Sequence, residues 1–191
     1  SVPYADKMIT EITCHAMGAV WIFDNKDMTI IDIGGQDTKI ICVEQGFVKD
    51  FMMNDKCSAG TGRFLEIMAN TLSMRPNEMC ELAREGSGVT ISSMCTVFAE
   101  SEVISLIGQG EKKENIAFAV VDSIVRKVAA QANRMSEDRP MLCLTGGLCE
   151  CSYISEALTK ELGMEVKTDP QSRYAGAIGA ALGAVKKGKK N

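Results

Sequence analysis

Between Met28 and Met53 the chain carries three short runs dense in β-branched and apolar residues, separated by the turn-forming pairs Gly34-Gly35 and Gln45-Gly46. Runs of this length bounded by glycine read as strands, over Met28–Ile33, Thr38–Glu44 and 47–53, joined by tight turns. Everything else must be arranged around that strand cluster. From Thr61 the pattern changes: Phe64, Leu65, Met68 and Leu72 recur at helical spacing, and Pro76 opens a second helix through Ala83. Residues 115–135 put Ile116, Ala119, Val120, Ile124, Val128 and Ala129 on one stripe, a long helix expected to pack along a sheet. Met141-Leu142-Cys143-Leu144 then reads as a buried strand stopping at Thr145-Gly146-Gly147. A helix through Leu158, a strand over 165–168 and a small-residue helix over 174–185 follow. Strands first, then alternating helices and strands, predict an α/β fold.

Composition removes several classes of function. The chain has 191 residues, 46% of them hydrophobic, and a net charge of −4, so nothing global draws it to nucleic acid or an anionic bilayer. No apolar run is long enough to span a membrane, and Ser1 to Asp6 carry neither a basic nor an apolar leader pattern. The expectation is a cytoplasmic protein, with Lys186, Lys187, Lys189 and Lys190 forming a solvated end. Its eight cysteines are scattered, none in C-x-x-C spacing, and there is a single histidine. In a reducing compartment these are thiols or ligands of a metal whose other ligands lie far away in sequence or in a second chain.

Two glycine pairs carry the first chemical signal. Asp32-Ile33-Gly34-Gly35-Gln36-Asp37 places two carboxylates at a turn where bare backbone N–H groups can approach a phosphate, and an Asp at a strand end can hold Mg²⁺ and its waters. The plain alternative is a glycine-rich hairpin with a solvated Asp. Gly146-Gly147, between a buried strand and a helix, suits the base or ribose of a nucleotide, or is an ordinary strand-to-helix turn. Both pairs at strand ends say more than either alone.

The segments IDIGGQDTK, NDKCSAGTGRFLE, CTVFAESEV, LTGG and YAGAIGAALGA, with EITCHA upstream, closely resemble the ATPase activators of 2-hydroxyacyl-CoA dehydratases and their benzoyl-CoA reductase relatives. That family lies within the actin, Hsp70 and sugar-kinase superfamily, of ribonuclease H-like fold. The resemblance runs over essentially the whole chain. It implies that Gly34, Gly35 and Gln36 serve the phosphates, Asp32 and Asp37 the Mg²⁺, and Gly146 and Gly147 the adenosine of ATP or ADP. It also implies that Cys14 and Cys57 ligate iron, two thiolates from each subunit of a homodimer completing one bridging [4Fe–4S] cluster. Cys57 is then expected at the start of a helix, where the positive dipole end favours thiolates. On the same footing, an electron from ferredoxin or flavodoxin would pass through the cluster to a dehydratase or reductase partner, driven by ATP and a hinge at the last helix.

Cys42, Cys80, Cys143, Cys149 and Cys151 read as structural, Cys42 and Cys143 facing the core, and Cys95 is not counted as a ligand. Glu100 and Glu102 read as helix-capping, nucleotide-proximal or solvated, and His15 as a neighbour of the cluster or a maker of an ordinary hydrogen bond. A first glycine-rich turn of the D-x-G-S-T/S type does not precede Asp32. The chain is therefore expected to begin inside the family's first lobe, about 70 residues in, and to bind ATP weakly. Residues 1–24 would be a remnant of that lobe, 25–140 the second lobe, and 141–191 the adenosine loop and hinge helix. Two other functions use the same loops: a small-molecule kinase of the superfamily, which leaves the cysteine motifs idle, and a nucleotide- or cluster-sensing regulatory module.

Overall fold

The computed structural model describes residues 8–93, 95–135 and 140–185. The opening segment 1–7 and the lysine-rich end lie outside the described residues. Strands β1 (Met28–Ile33), β2 (Thr38–Glu44), β3 (Phe47–Asn54), β4 (Leu142–Thr145) and β5 (Val166–Lys167) form one five-stranded sheet in the order β3-β2-β1-β4-β5. The first three make an antiparallel meander, and β4 and β5 add in parallel on the other side of β1. Strand β1 is thus central and every one of its residues is buried, the polar Thr29 and Asp32 included.

The helices are α1 (Glu11–Phe23), α2 (Gly62–Thr71), α3 (Pro76–Ala83), α4 (Thr96–Gly108), α5 (Lys113–Met135), α6 (Ser152–Leu162) and α7 (Ala175–Val185). On one face of the sheet Ile31, Ile33, Ile40 and Leu144 join Phe64, Met79, Val120, Ile124 and Ile154, from α2, α3, α5 and α6. On the other, Ile30, Ile41, Val43 and Cys143 meet Ala16 and Ala19 of α1. Adjacent strand residues thus go to opposite cores, the two-residue period of a pleated sheet covered on both sides. Cys143 faces the core as expected, whereas Cys42 is only half-buried. The helix expected directly after Gly147 starts as a 3₁₀ turn over Gly147–Glu150, and α6 proper begins at Ser152.

Two helices, α1 and α4, have no counterpart in the sequence reading. Helix α1 packs on α7 with backbones in contact: a Cβ on Gly179 would lie 1.8 Å from the Cys14 carbonyl oxygen, and one on Gly18 1.8 Å from that of Ala175. The alanines and glycines of α7 are what allow this approach. Among the described residues no helix is long and apolar enough to cross a membrane.

Candidate functional site

Asp32, near the end of β1, lies opposite Thr145 in the parallel register with β4 and opposite Lys39 in the antiparallel register with β2. Thr145 Oγ1 donates to Asp32 Oδ1 at 2.8 Å, and Lys39 Nζ lies 3.4 Å from Asp32 Oδ2. The same ammonium is 2.8 Å from Asp37 Oδ2 and 3.1 Å from Glu11 Oε1 of α1. The side chains of Asp32 and Lys39 are each 2% exposed. Burial works against the Lys39 ammonium, but its hydrogen bonds to Asp37 and Glu11 and the nearby Asp32 outweigh that and hold its pKa above the ordinary lysine value. His15 faces the same carboxylates: its Nδ1 is 3.4 Å from Asp32 Oδ1 and its Nε2 3.5 Å from Glu11 Oε1. A single buried ammonium is thus shared by three carboxylates, Asp32, Asp37 and Glu11.

Beyond Asp32 the chain turns, with Gly34 N–H donating to the Asp37 carbonyl at 2.9 Å. The start of α2 holds this turn in place: Gly62 N–H donates to the Gly34 carbonyl at 2.9 Å and Arg63 N–H to that of Gly35 at 2.7 Å. Thr38 Oγ1 adds a bond to the Gly60 carbonyl at 2.7 Å. Gly146 has φ +83°, and a Cβ there would lie 2.4 Å from the Ile33 carbonyl oxygen, so only glycine lets this second turn close over β1. The two glycine pairs are brought together. Gly34, Gly35 and Gly147 line one cavity of about 380 Å³ with Gly62, Arg63 and Leu148, a size typical of small-molecule sites. Gln36 sits exposed at the tip of the turn, outside that lining, and Gly146 is buried behind it.

The sequence reading passed over Arg63, Asn70 and Arg75, which also line the cavity, and gave Lys39 no role. Lys39 had a signal: it is a charged residue amid Thr38, Ile40 and Ile41, and a hairpin closed through Gly34-Gly35 puts it opposite Asp32.

Cys57 lies in the loop between β3 and α2, ahead of the N-cap Thr61, and not at a helix start as expected. Asn54 Nδ2 anchors this loop by donating to the carbonyls of Cys57 at 2.8 Å and Ala59 at 3.2 Å. Ser58 Oγ and Thr96 Oγ1 share a hydrogen bond of 2.7 Å, which ties the loop to the first turn of α4, whose N-cap is Cys95. Cys57 is half-buried and Cys95 exposed, and Val97 and Phe98 beside it are about two-thirds exposed, at 67% and 65%. Cys14 is different. It is buried, 7% exposed, on the helix whose backbone touches α7, and burial, with Glu11 nearby, pushes its thiol pKa up. The residue that the hydrogen bonds bring towards the Cys57 loop is Cys95 rather than Cys14.

The two glutamates of the same motif are tethers. Glu100 accepts from Thr71 Oγ1 of α2 at 3.3 Å. Glu102 accepts from the backbone N–H groups of Ser92 and Ser93, at 2.8 and 3.0 Å, and from both their hydroxyls. These bonds, that from the Ser93 hydroxyl foremost, hold its pKa below the usual glutamate value. A depressed folded-state pKa gives stability that is present above the unfolded-state pKa and lost as pH falls through the folded value. A Glu102→Gln variant should therefore lose stability at neutral pH and show a shallower fall of Tm between about pH 6 and pH 3. An unchanged acid slope would remove Glu102 as its source.

A family model described as the BadF/BadG/BcrA/BcrD ATPase family matches residues 1–184. The chain is 48% identical over 187 residues to the (R)-2-hydroxyglutaryl-CoA dehydratase activating ATPase of Acidaminococcus fermentans, covering 97% of this chain and 71% of that one. The crystal structure of Acidaminococcus fermentans (R)-2-hydroxyglutaryl-CoA dehydratase component A matches with a TM-score of 0.92 over 97% of this chain and 71% of its own. The activator of the 2-hydroxyisocaproyl-CoA dehydratase from Clostridium difficile, solved with bound ADPNP, matches with a TM-score of 0.89 at 38% identity, over 98% of this chain and 72% of its own. These matches uphold the α/β fold of the actin, Hsp70 and sugar-kinase type expected from the sequence. With the glycine turns converging on one cavity and the family model covering nearly every residue, the chain belongs to the BadF/BadG/BcrA/BcrD ATPase family.

Proposed function

We propose that this chain is the ATP-dependent activator of a 2-hydroxyacyl-CoA dehydratase or benzoyl-CoA reductase-like partner, working as a cytoplasmic homodimer that takes electrons from a ferredoxin or flavodoxin. One observation carries the reading. The segment that leaves Cys57 runs directly into Gly62 and Arg63, whose N–H groups hold the carbonyls of the glycine turn at the cavity. A change in what occupies the cavity therefore moves the base of the cysteine loop, and the Ser58–Thr96 bond passes that movement to α4.

In this reading Gly34, Gly35 and Arg63 meet the phosphates, Asp32 and Asp37 orient the water shell of a Mg²⁺, and Gly147 and Leu148 lie against the nucleoside. Gln36, at the exposed tip of the turn, meets the phosphates from its solvent side. The ligand pair in each chain is Cys57 with Cys95: neighbouring loops present both thiols, whereas the Cys14 thiol is buried. A [4Fe–4S] cluster takes four thiolates, so two chains each supply one such pair. The exposed Val97 and Phe98 beside Cys95 give a second copy an apolar surface to cover. When bound there, a [4Fe–4S] cluster supplies a one-electron store.

Iron and acid-labile sulfide in protein prepared without oxygen test the reading. About two irons per chain are expected in a dimer, lost in Cys57→Ser and Cys95→Ser and kept in Cys14→Ser. Loss in Cys14→Ser with retention in Cys95→Ser would restore the pair expected from the sequence. An intact anaerobic dimer without iron would sink the electron-transfer assignment and leave the kinase and regulatory readings.

A further inference from the structure

Helix α5 buries Val120, Ile124 and Val128 in the core, and a different side of it meets the cysteine loop. On that side Ser123, Arg126, Lys127 and Ala130 recur at spacings of three and four residues, so they share one helix face. With Ala59 of the loop and with Ile91 they line a second cavity of about 260 Å³, separate from the one at the glycine turns.

The polar groups of this cavity include donors that nothing in the chain uses. Arg126 gives its Nε to Asp122 at 2.8 Å and one Nη to the Ile91 carbonyl at 3.5 Å, which leaves the other Nη free. Among the described residues the Lys127 ammonium has no carboxylate partner and the Ser123 hydroxyl no hydrogen bond. The hydroxyls of Ser92 and Ser93, also in the lining, already donate to Glu102. Unused donors on two cations and a hydroxyl suit an anion, because a charge-assisted hydrogen bond is stronger than a neutral one. The floor of Ala59, Ile91 and Ala130 suits an apolar body, which an inorganic ion does not have. We propose that this cavity binds a small organic carboxylate, its carboxyl group held by Lys127, Ser123 and Arg126 and its aliphatic tail laid on Ala59, Ile91 and Ala130.

Such a ligand has a lever on the cysteine loop. Gly60 has φ +83°, and a Cβ there would lie 2.9 Å from Lys127 Cγ and 3.4 Å from Lys127 Cβ, so the lysine stem lies directly over the loop. Fixing the ammonium fixes that stem, and a tail against Ala59 restrains a residue two positions from Cys57. Neither the nucleotide reading nor the cluster reading is needed for this inference.

Calorimetric titration of the full chain, reduced and without added metal, compares hexanoate with 1-hexanol, which has the tail alone, and with inorganic phosphate, which has charge alone. Hexanoate should bind tighter than either by about tenfold or more, and Lys127→Met, which keeps the stem over Gly60 but removes the charge, should weaken it by about tenfold or more. Ala130→Phe, at an exposed position, should fill the floor and abolish binding with little change in Tm. Saturating hexanoate should slow alkylation of Cys57 by iodoacetamide by about threefold or more, read by peptide mass, and should not slow it in Lys127→Met. A parent chain that binds no hexanoate, or equal affinity in parent and K127M, overturns the site. Phosphate or hexanol binding as tightly as hexanoate overturns the carboxylate class. Binding that leaves the Cys57 rate unchanged overturns the lever on the loop.

Discussion

Gly179→Ala is expected to unseat α7 from α1 and to lower the melting temperature more than any substitution to alanine on the exposed surface. The added methyl would lie 1.8 Å from the Cys14 carbonyl oxygen and 2.9 Å from the Gly18 nitrogen, both backbone atoms that no side-chain rotation can move. Overpacking against flexible side chains costs about 1–3 kcal/mol; here the whole helix must translate, so the upper end of that range or more is expected. Chemical denaturation with a circular dichroism readout measures it. A neighbouring control is Gly147→Ala, where a Cβ meets nothing within 4 Å, and which should leave stability near that of the parent. Equal stability of the two variants would mean that the helices can separate at no cost, contrary to the backbone contact described.

The second large effect is expected from Lys39→Met. Its ammonium is the cation shared by Asp32, Asp37 and Glu11, at 3.4, 2.8 and 3.1 Å. Methionine keeps much of the length and apolar bulk but removes the charge, leaving Asp32 buried without its ammonium partner. Removing one member of a buried ion pair costs about 3–5 kcal/mol, and because Glu11 is 63% exposed and can turn to solvent, a loss near the lower end, about 3 kcal/mol, is expected. The same variant concentrates negative charge beside the glycine turn, so millimolar Mg²⁺ should recover part of the lost stability without nucleotide, and recover less in the parent chain. Equal stability of K39M and parent, with no Mg²⁺ response, would mean that the carboxylates separate freely when the ammonium is absent.

The sheet was readable because its strands are short, β-branched and bounded by glycine, so the expected β1 and β2 carry the observed limits and β3 runs one residue further. Helices α2, α3 and α5 were readable for a related reason: each is covered on one side and shows its period. Helix α1 was not. Its sequence, EITCHAMGAVWIF, is apolar almost all round because it is enclosed between the sheet and α7, and a helix buried on two sides has no polar face to reveal its period. Helix α4 failed in the opposite sense, since Val97, Phe98, Ile104 and Ile107 are apolar yet exposed, and scramble the pattern of its buried Ala99 and Val103.

The site divides in the same way. The glycines at strand ends were readable as turns of bare backbone, and the fold brings Gly34, Gly35 and Gly147 to one cavity. The burial of the cysteines was not readable, since a motif match says nothing about packing. Cys14 and Cys95 stand in equally distinctive segments, and only the packing of α1 against α7 and the bond from Ser58 to Thr96 separate them.

The α1–α7 contact also bears on the order in which the chain acquires its structure. The hairpins of β1, β2 and β3 close over a few residues and can form early, but the two helices come from opposite ends of the described residues, and neither can complete its glycine interface until nearly all of the chain is available. During synthesis on a ribosome, α1 is made before α7 and waits with its backbone notch at Gly18 open until α7 is made and docks on it.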